Sequence, residues 1–138
     1  MRLAGRVVVP RAPKEGTTVL VAYDGGLASA RALDAFRVSG LARGRTAHVV
    51  SVSADAGLAT RRAAEAARFL RFYDIPAEAH PLPAAAPAAD LIAEQAERHD
   101  AGLIVLGAFG RSRLGELFAR STTSCLLQRS DRVLFCHG

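Results

Sequence analysis

An apolar run, Leu103-Ile104-Val105-Leu106, stops abruptly at Gly107-Ala108-Phe109-Gly110-Arg111-Ser112, and Ser121-Thr122-Thr123 follows further along the chain. The chemistry these residue types suit is the holding of an anion. Glycines let the main chain turn tightly and come close to another group. A strand, a glycine loop and a helix N-terminus together gather unpaired N–H groups and the positive end of the helix dipole. A second turn of the same kind, Asp24-Gly25-Gly26, follows the run Thr17-Thr18-Val19-Leu20-Val21-Ala22-Tyr23. Its carboxylate can accept hydrogen bonds from the hydroxyls of a sugar held at a strand end. Asp-Gly-Gly is equally well explained as a turn with no ligand.

The other reactive side chains form no catalytic set. His48, His80, His99 and His137 share no metal-ligand spacing and fall on different expected elements, so surface or hydrogen-bonded core roles are expected and no metal ligand is assigned. Cys125 and Cys136 are too few for a disulfide scaffold and are expected as reduced thiols. Cys136 and His137 are neighbours on an expected strand, where successive side chains point to opposite faces, so they are poorly placed to act together. Ser112 has no evident base partner. No nucleophile, base and orienter converge, so no catalytic residue is assigned. The only lysine is Lys14, which excludes a Gly-x-x-x-x-Gly-Lys phosphate loop.

With 138 residues, half of them hydrophobic, the chain is expected to fold as one globular domain rather than to be disordered. The net charge of +5 is carried almost wholly by arginines scattered among acids, with no basic run interleaved with aromatics. That pattern argues against nucleic acid as a partner. No apolar segment reaches membrane-spanning length, and Val7-Val8-Val9 before Pro10 is too short for a signal peptide core, so a cytoplasmic protein is expected.

These groups need elements to hold them. Residues 1–16 read as an N-terminal extension or linker in which Arg6-Val7-Val8-Val9 is a possible extra strand; the domain proper is placed at 17–138. Strands are expected at 17–23, 46–52, 77–82, 103–106 and 132–136, the third near an edge because of Pro81 and Pro83. Helices are expected at about 27–38, stopped by Gly40; at about 55–73, capped by Ser53 or Asp55; from Pro87 to about His99; and at about 121–129. Alternating strands and helices predict an α/β fold, a doubly wound, mostly parallel five-stranded sheet with helices on both faces. Ligands of such sheets sit beyond the strand C-termini where strand order reverses. Both glycine-bearing turns leave strand C-termini, so one cleft is expected to collect them.

Val19-Leu20-Val21-Ala22-Tyr23-Asp24-Gly25, the run from Leu103 to Leu114, and the closing Leu126-Leu127…Val133-Leu134 segment resemble the universal stress protein family over roughly residues 17–137. The resemblance implies a fold of the adenine-nucleotide alpha-hydrolase-like kind, frequent dimerisation and, in many members, ATP binding. The family's nucleotide motif is Gly, two residues, Gly, nine residues, Gly, then Ser or Thr. Gly107 and Gly110 match the first two glycines and Ser121 the hydroxyl, with Thr122 next to it, but Arg120 replaces the third glycine. An arginine there fills space that glycine leaves open, or reaches a phosphate with its guanidinium. The resemblance further implies that Asp24 lies beside the adenosine half, that main-chain groups at Val52 contact adenine, and that Arg111 or Arg120 adds charge. Magnesium would arrive with the ATP. The expected function is a cytosolic stress-response or signalling module binding ATP. The alternative is an interaction module without nucleotide, in which Arg120 fills the phosphate site. At most weak ATP hydrolysis is expected. Gly25-Gly26-Leu27-Ala28-Ser29 also faintly resembles the Ser-Gly-Gly-x-Asp-Ser loop of ATP-pyrophosphatases, but Asp24 stands where Ser is required and Ala28 where Asp is.

The short strand Val133-Leu134-Phe135 is expected at a sheet edge, which needs cover. Pairing with a second copy, a homodimer as in the resembling family, is one solution; cover by Val7-Val8-Val9 is the other. A strand and linker before the first domain strand also resembles the tail of a preceding domain, as in tandem members.

Overall fold

The computed structural model describes the main chain of residues 5–8, 16–107 and 133–137, with side chains over 16–107. In chain order the elements are β1 (Gly5–Val8), β2 (Thr18–Ala22), α1 (Leu27–Ser39), β3 (Thr46–Ser53), α2 (Ala56–Phe72), β4 (Ala77–Pro83), α3 (Ala88–Arg98), β5 (Ala101–Gly107) and β6 (Val133–His137). The helix expected at 121–129 lies outside the described residues.

One sheet has the order β1-β6-β5-β2-β3-β4. Pairing is parallel throughout β6-β5-β2-β3-β4. Among the described residues the sheet therefore has six strands rather than the five expected. The sixth is β1, which pairs antiparallel with β6. That pairing also corrects the expectation for Val133-Leu134-Phe135. These residues are not a free edge available to a second copy, because Val7 pairs with Phe135 and Val8 with Leu134 in the same chain. The edge hydrogen-bonding groups are met by the short apolar run at the N-terminus, and the two outer strands are β1 and β4.

Apolar alternation along the strands divides the core in two. Val19, Val21, Val49, Leu103 and Val105 face α1 and α2, where they pack with Leu33, Phe36, Ala63, Ala66 and Leu70. Leu20, Ala22, Val50, Ile104 and Leu106 face α3, packing with Ala88, Ala89, Ile92 and Ala96. Every residue of β5 is buried, as expected of a parallel strand covered on both faces. The caps follow local chemistry. Asp55 closes the N-terminus of α2, its carboxylate accepting from Leu58 N at 3.1 Å. Gly40 ends α1 in the left-handed region at φ 79°. At Gly102 the β2–β5 register slips, and a Cβ there would sit 2.7 Å from Gly16 N. Two main chains touch at this bulge, so neither glycine has room for a side chain.

Candidate functional site

The chain runs from the central strand β2 outward to β3 and β4, then crosses back to β5 and β6 on the other side. Strand order therefore reverses between β2 and β5, and their C-terminal ends are level, with Ala22 opposite Leu106. Asp24 and Gly107 lie just past these two residues. The Asp24 turn and the Gly107 end of β5 thus lie side by side at the switch point, where a doubly wound sheet offers its ligand cleft.

Asp24 is 4% exposed and organises the turn. Its Oδ1 accepts from Ser29 Oγ at 2.6 Å and from Gly26 N at 2.8 Å, and Asp24 N donates to Ser29 Oγ at 3.3 Å. Gly25 needs its missing side chain, since its φ is 78°. The N-cap of α1 is Gly26, which brings no side-chain cap, so Asp24 and Ser29 hold the helix entrance instead. Gly107 sits against that entrance: a Cβ on it would lie 2.6 Å from Ser29 N and 2.7 Å from the Ala28 carbonyl carbon. The first glycine of the motif therefore permits β5 to close against the first turn of α1. This brings the positive end of α1 beside the cleft.

Val52 lies on β3 beyond the end of β2, since Ala22 pairs with Val50. Tyr23 N donates to Val50 O at 3.0 Å, so the main-chain groups of Val50 point toward β2. Alternation sends those of Val52 the same way, into space that β2 has vacated. Ser51 beside it is fully buried, and its Oγ has no hydrogen-bond partner among the described residues. An orphaned buried hydroxyl at the level of the cleft is compatible with a polar ligand there.

Of the sequence-predicted residues, Asp24, Val52 and Gly107 meet at one end of the sheet. Gly110, Arg111, Arg120, Ser121 and Thr122 lie outside the described residues. Sequence reasoning missed Arg62 on α2, whose Nε would lie 2.8 Å from a Cβ on Gly25, so a guanidinium covers the Asp24 turn. Arg62, Asp24 and Glu65 also surround Tyr23, whose hydroxyl is pushed above its ordinary pKa first by burial, then by Glu65 and Asp24.

A groove of about 590 Å³ opens at the opposite end of the sheet, between Arg37, Arg43, Arg45, Tyr73 and Asp74. It is remote from the switch point. Arg37 there is already engaged, with Asp34 at 2.7 Å and stacked over Tyr73 at 4.1 Å.

The histidines differ from their expected scatter. His48 on β3, His80 on β4 and His99 at the C-terminal end of α3 converge on the α3 face, and His48 Nδ1 lies 2.9 Å from His80 Nε2. Alternation explains this: His48 shares the face of Val50, and His80 that of Leu82, both of which pack in the α3 core. Burial, then His80, lowers the pKa of His48 against an opposing pull from Glu78. Burial, then His48, His80 and Arg98, lowers that of His99, again opposed by Glu78. A lowered folded pKa means that the unfolded chain binds more protons just below pH 6.5, so stability is full above that value and declines as pH falls toward the folded pKa values. In chelator-treated protein the urea midpoint is expected to fall between about pH 7.5 and pH 5.5. A His48→Gln, His99→Gln double variant should show a shallower slope; an equal slope would assign the pH dependence elsewhere.

Among the described residues, no helix is long and apolar enough to cross a membrane. Five parallel strands wound in opposite directions from β2, with a glycine-bearing cleft at the reversal, define a doubly wound α/β domain. Residues 16–134 match the universal stress protein family, and the chain belongs to it. Solved structures share its fold. A universal stress protein from Archaeoglobus fulgidus superimposes with a TM-score of 0.71 at 23% identity, covering 88% of this chain and 98% of that one. A universal stress protein from the same organism in complex with dAMP gives 0.67 at 19% identity, covering 88% and 98%. A universal stress protein in complex with cAMP gives 0.62 at 20%, covering 89% and 97%. No curated protein matches the chain.

Proposed function

We propose that the chain is a cytosolic stress-response or signalling module that binds an adenine nucleotide, ATP with its magnesium, at the C-terminal ends of β2, β3 and β5. The observation that carries this reading is the juxtaposition of the Asp24 turn, the forward-pointing main chain of Val52 and the Gly107 end of β5 at the switch point. The dAMP and cAMP complexes of structures with the same fold support it. In this reading Asp24 takes ribose hydroxyls, through Oδ2 because Oδ1 already serves the turn. Val52 offers main-chain groups to adenine. Gly107, Gly110, Ser121 and Thr122 face the phosphates, and Arg111 and Arg120 add charge there, joined by Arg62 from α2. Magnesium comes with the phosphates rather than through a protein cage.

Titration with ATP and magnesium, followed by thermal unfolding, tests the proposal. At about 100 times the dissociation constant a bound nucleotide adds about 2.7 kcal/mol of stability, read as a clear rise in Tm. An unchanged Tm at millimolar ATP would overturn nucleotide binding. A rise restored by Arg120→Gly would instead establish the interaction module, with Arg120 occupying the phosphate space.

A further inference from the structure

Three imidazoles and a carboxylate meet on the α3 face, toward the N-terminal ends of the strands and away from the nucleotide cleft. One ring nitrogen from each of His48, His80 and His99 lies within 4.8 Å of the other two. Glu78 Oε2 approaches His48 Nδ1 at 3.3 Å and His80 Nε2 at 3.7 Å. In a tetrahedral site with metal–nitrogen bonds of about 2.0–2.1 Å, ligand atoms stand about 3.3 Å apart. These separations bracket that spacing; the 2.9 Å His48–His80 contact must open slightly, and the His48 and His99 rings, stacked with centroids 4.0 Å apart at 13°, must tilt apart to face one ion. Glu78 can adjust, because its side chain is 64% exposed, while His48 at 12% and His80 at 27% are more firmly held.

The surroundings also orient the ligands. Gln95, buried on α3, places Oε1 3.2 Å from His99 Nε2. An amide oxygen there keeps Nε2 protonated and leaves Nδ1 for a metal, as outer-shell partners of metal-bound histidines do. Thr18 Oγ1 donates to His99 O at 2.6 Å and fixes the end of α3 against β2. Three imidazoles with one carboxylate suit a borderline divalent ion, whereas magnesium and calcium require mostly oxygen ligands.

We propose that His48, His80 and His99, with Glu78 as fourth ligand, bind one divalent transition-metal ion of the zinc class. The ion ties the outer strand β4 and its neighbour β3 to the C-terminal end of α3. The proposal does not rest on the nucleotide reading, since the two sites use different residues at different ends of the sheet.

The test uses the full chain after chelator treatment, titrated with Zn²⁺ by calorimetry and with Co²⁺ by visible absorption. One ion per chain, a rise in Tm reversed by chelator, and the intense visible bands of four-coordinate Co²⁺ are expected. His80→Gln and His99→Gln should each weaken Zn²⁺ binding by about 100-fold or more, and Gln95→Ala by about 10- to 100-fold. Unchanged affinity in both histidine variants would overturn the site. So would a Co²⁺ spectrum dominated by thiolate charge transfer, which would move the metal to Cys125 or Cys136. Should the variants fail to fold, ring NMR of the unmodified protein decides. Zn²⁺ must shift the signals of His48, His80 and His99 and spare His137; any other pattern refutes the assignment.

Discussion

Gly107→Val is expected to lower Tm by about 10 °C. A Cβ at this position would stand 2.6 Å from Ser29 N and 2.7 Å from Ala28 C, both main-chain atoms of the first turn of α1. A flexible side chain could swing aside; a helix main chain moves only as a unit. Overpacking of this kind costs up to about 3 kcal/mol. For a chain of this length each kcal/mol is worth about 3–4 °C. Gly44→Ala is the matched control. Gly44 has φ 71° but nothing within 4 Å of its would-be Cβ, so the substitution bears backbone strain without a clash. It should cost about 1 kcal/mol, or about 3–4 °C. Calorimetry on both variants checks the account. A Gly107→Val loss no larger than that of Gly44→Ala would show that β5 does not need to close on α1. Because the same contact sets the α1 entrance against the cleft, Gly107→Val should also weaken nucleotide binding.

Asp24→Ala is expected to cost about 2–3 kcal/mol and to abolish the ATP-induced rise in Tm. The buried carboxylate receives two hydrogen bonds through Oδ1, from Gly26 N and Ser29 Oγ. Removing it leaves both buried donors without their acceptor, and bonds to a charged group are worth about 1.5–3 kcal/mol each, short of additively. Asp24→Asn separates the two roles. Asparagine keeps an oxygen at the Oδ1 position, so most of the turn's stability should remain. It loses the charge that strengthens bonds to ribose hydroxyls, so ATP affinity should fall by about 10-fold or more. Urea melts and ATP titrations of the two variants provide the readouts. Equal ATP affinity in Asp24→Asn and the unmodified chain would confine Asp24 to holding the turn.

Much of the fold was legible because its signals are local. Ala59, Ala63, Ala66 and Leu70 recur at helical spacing and form the buried face of α2. Asp55 capped that helix, and Gly40 ended the one before it. Pro81 and Pro83 placed β4 at an edge, and the unbroken apolar run at 103–106 marked a strand buried on both faces. Its start was misread, since Ala101 and Gly102 belong to β5 through a bulge that depends on Gly16, far away in sequence. Asp24 and Gly107 were expected at the same end of the sheet because doubly wound sheets collect strand C-termini at a reversal, and the β2–β5 register puts them level.

By itself the sequence determined periodicity, caps, turns and the strand–helix alternation, each written in residues a few positions apart. Only the tertiary structure decided that Gly5–Val8 covers β6, that Arg62 reaches the Asp24 turn, and that His48, His80 and His99 share one face. These depend on which strands become neighbours and in what register, and a shift of one residue would send His48 or His80 to the other side of the sheet. Register is fixed by the summed burial of two cores, a property of the whole chain and not of any segment of it.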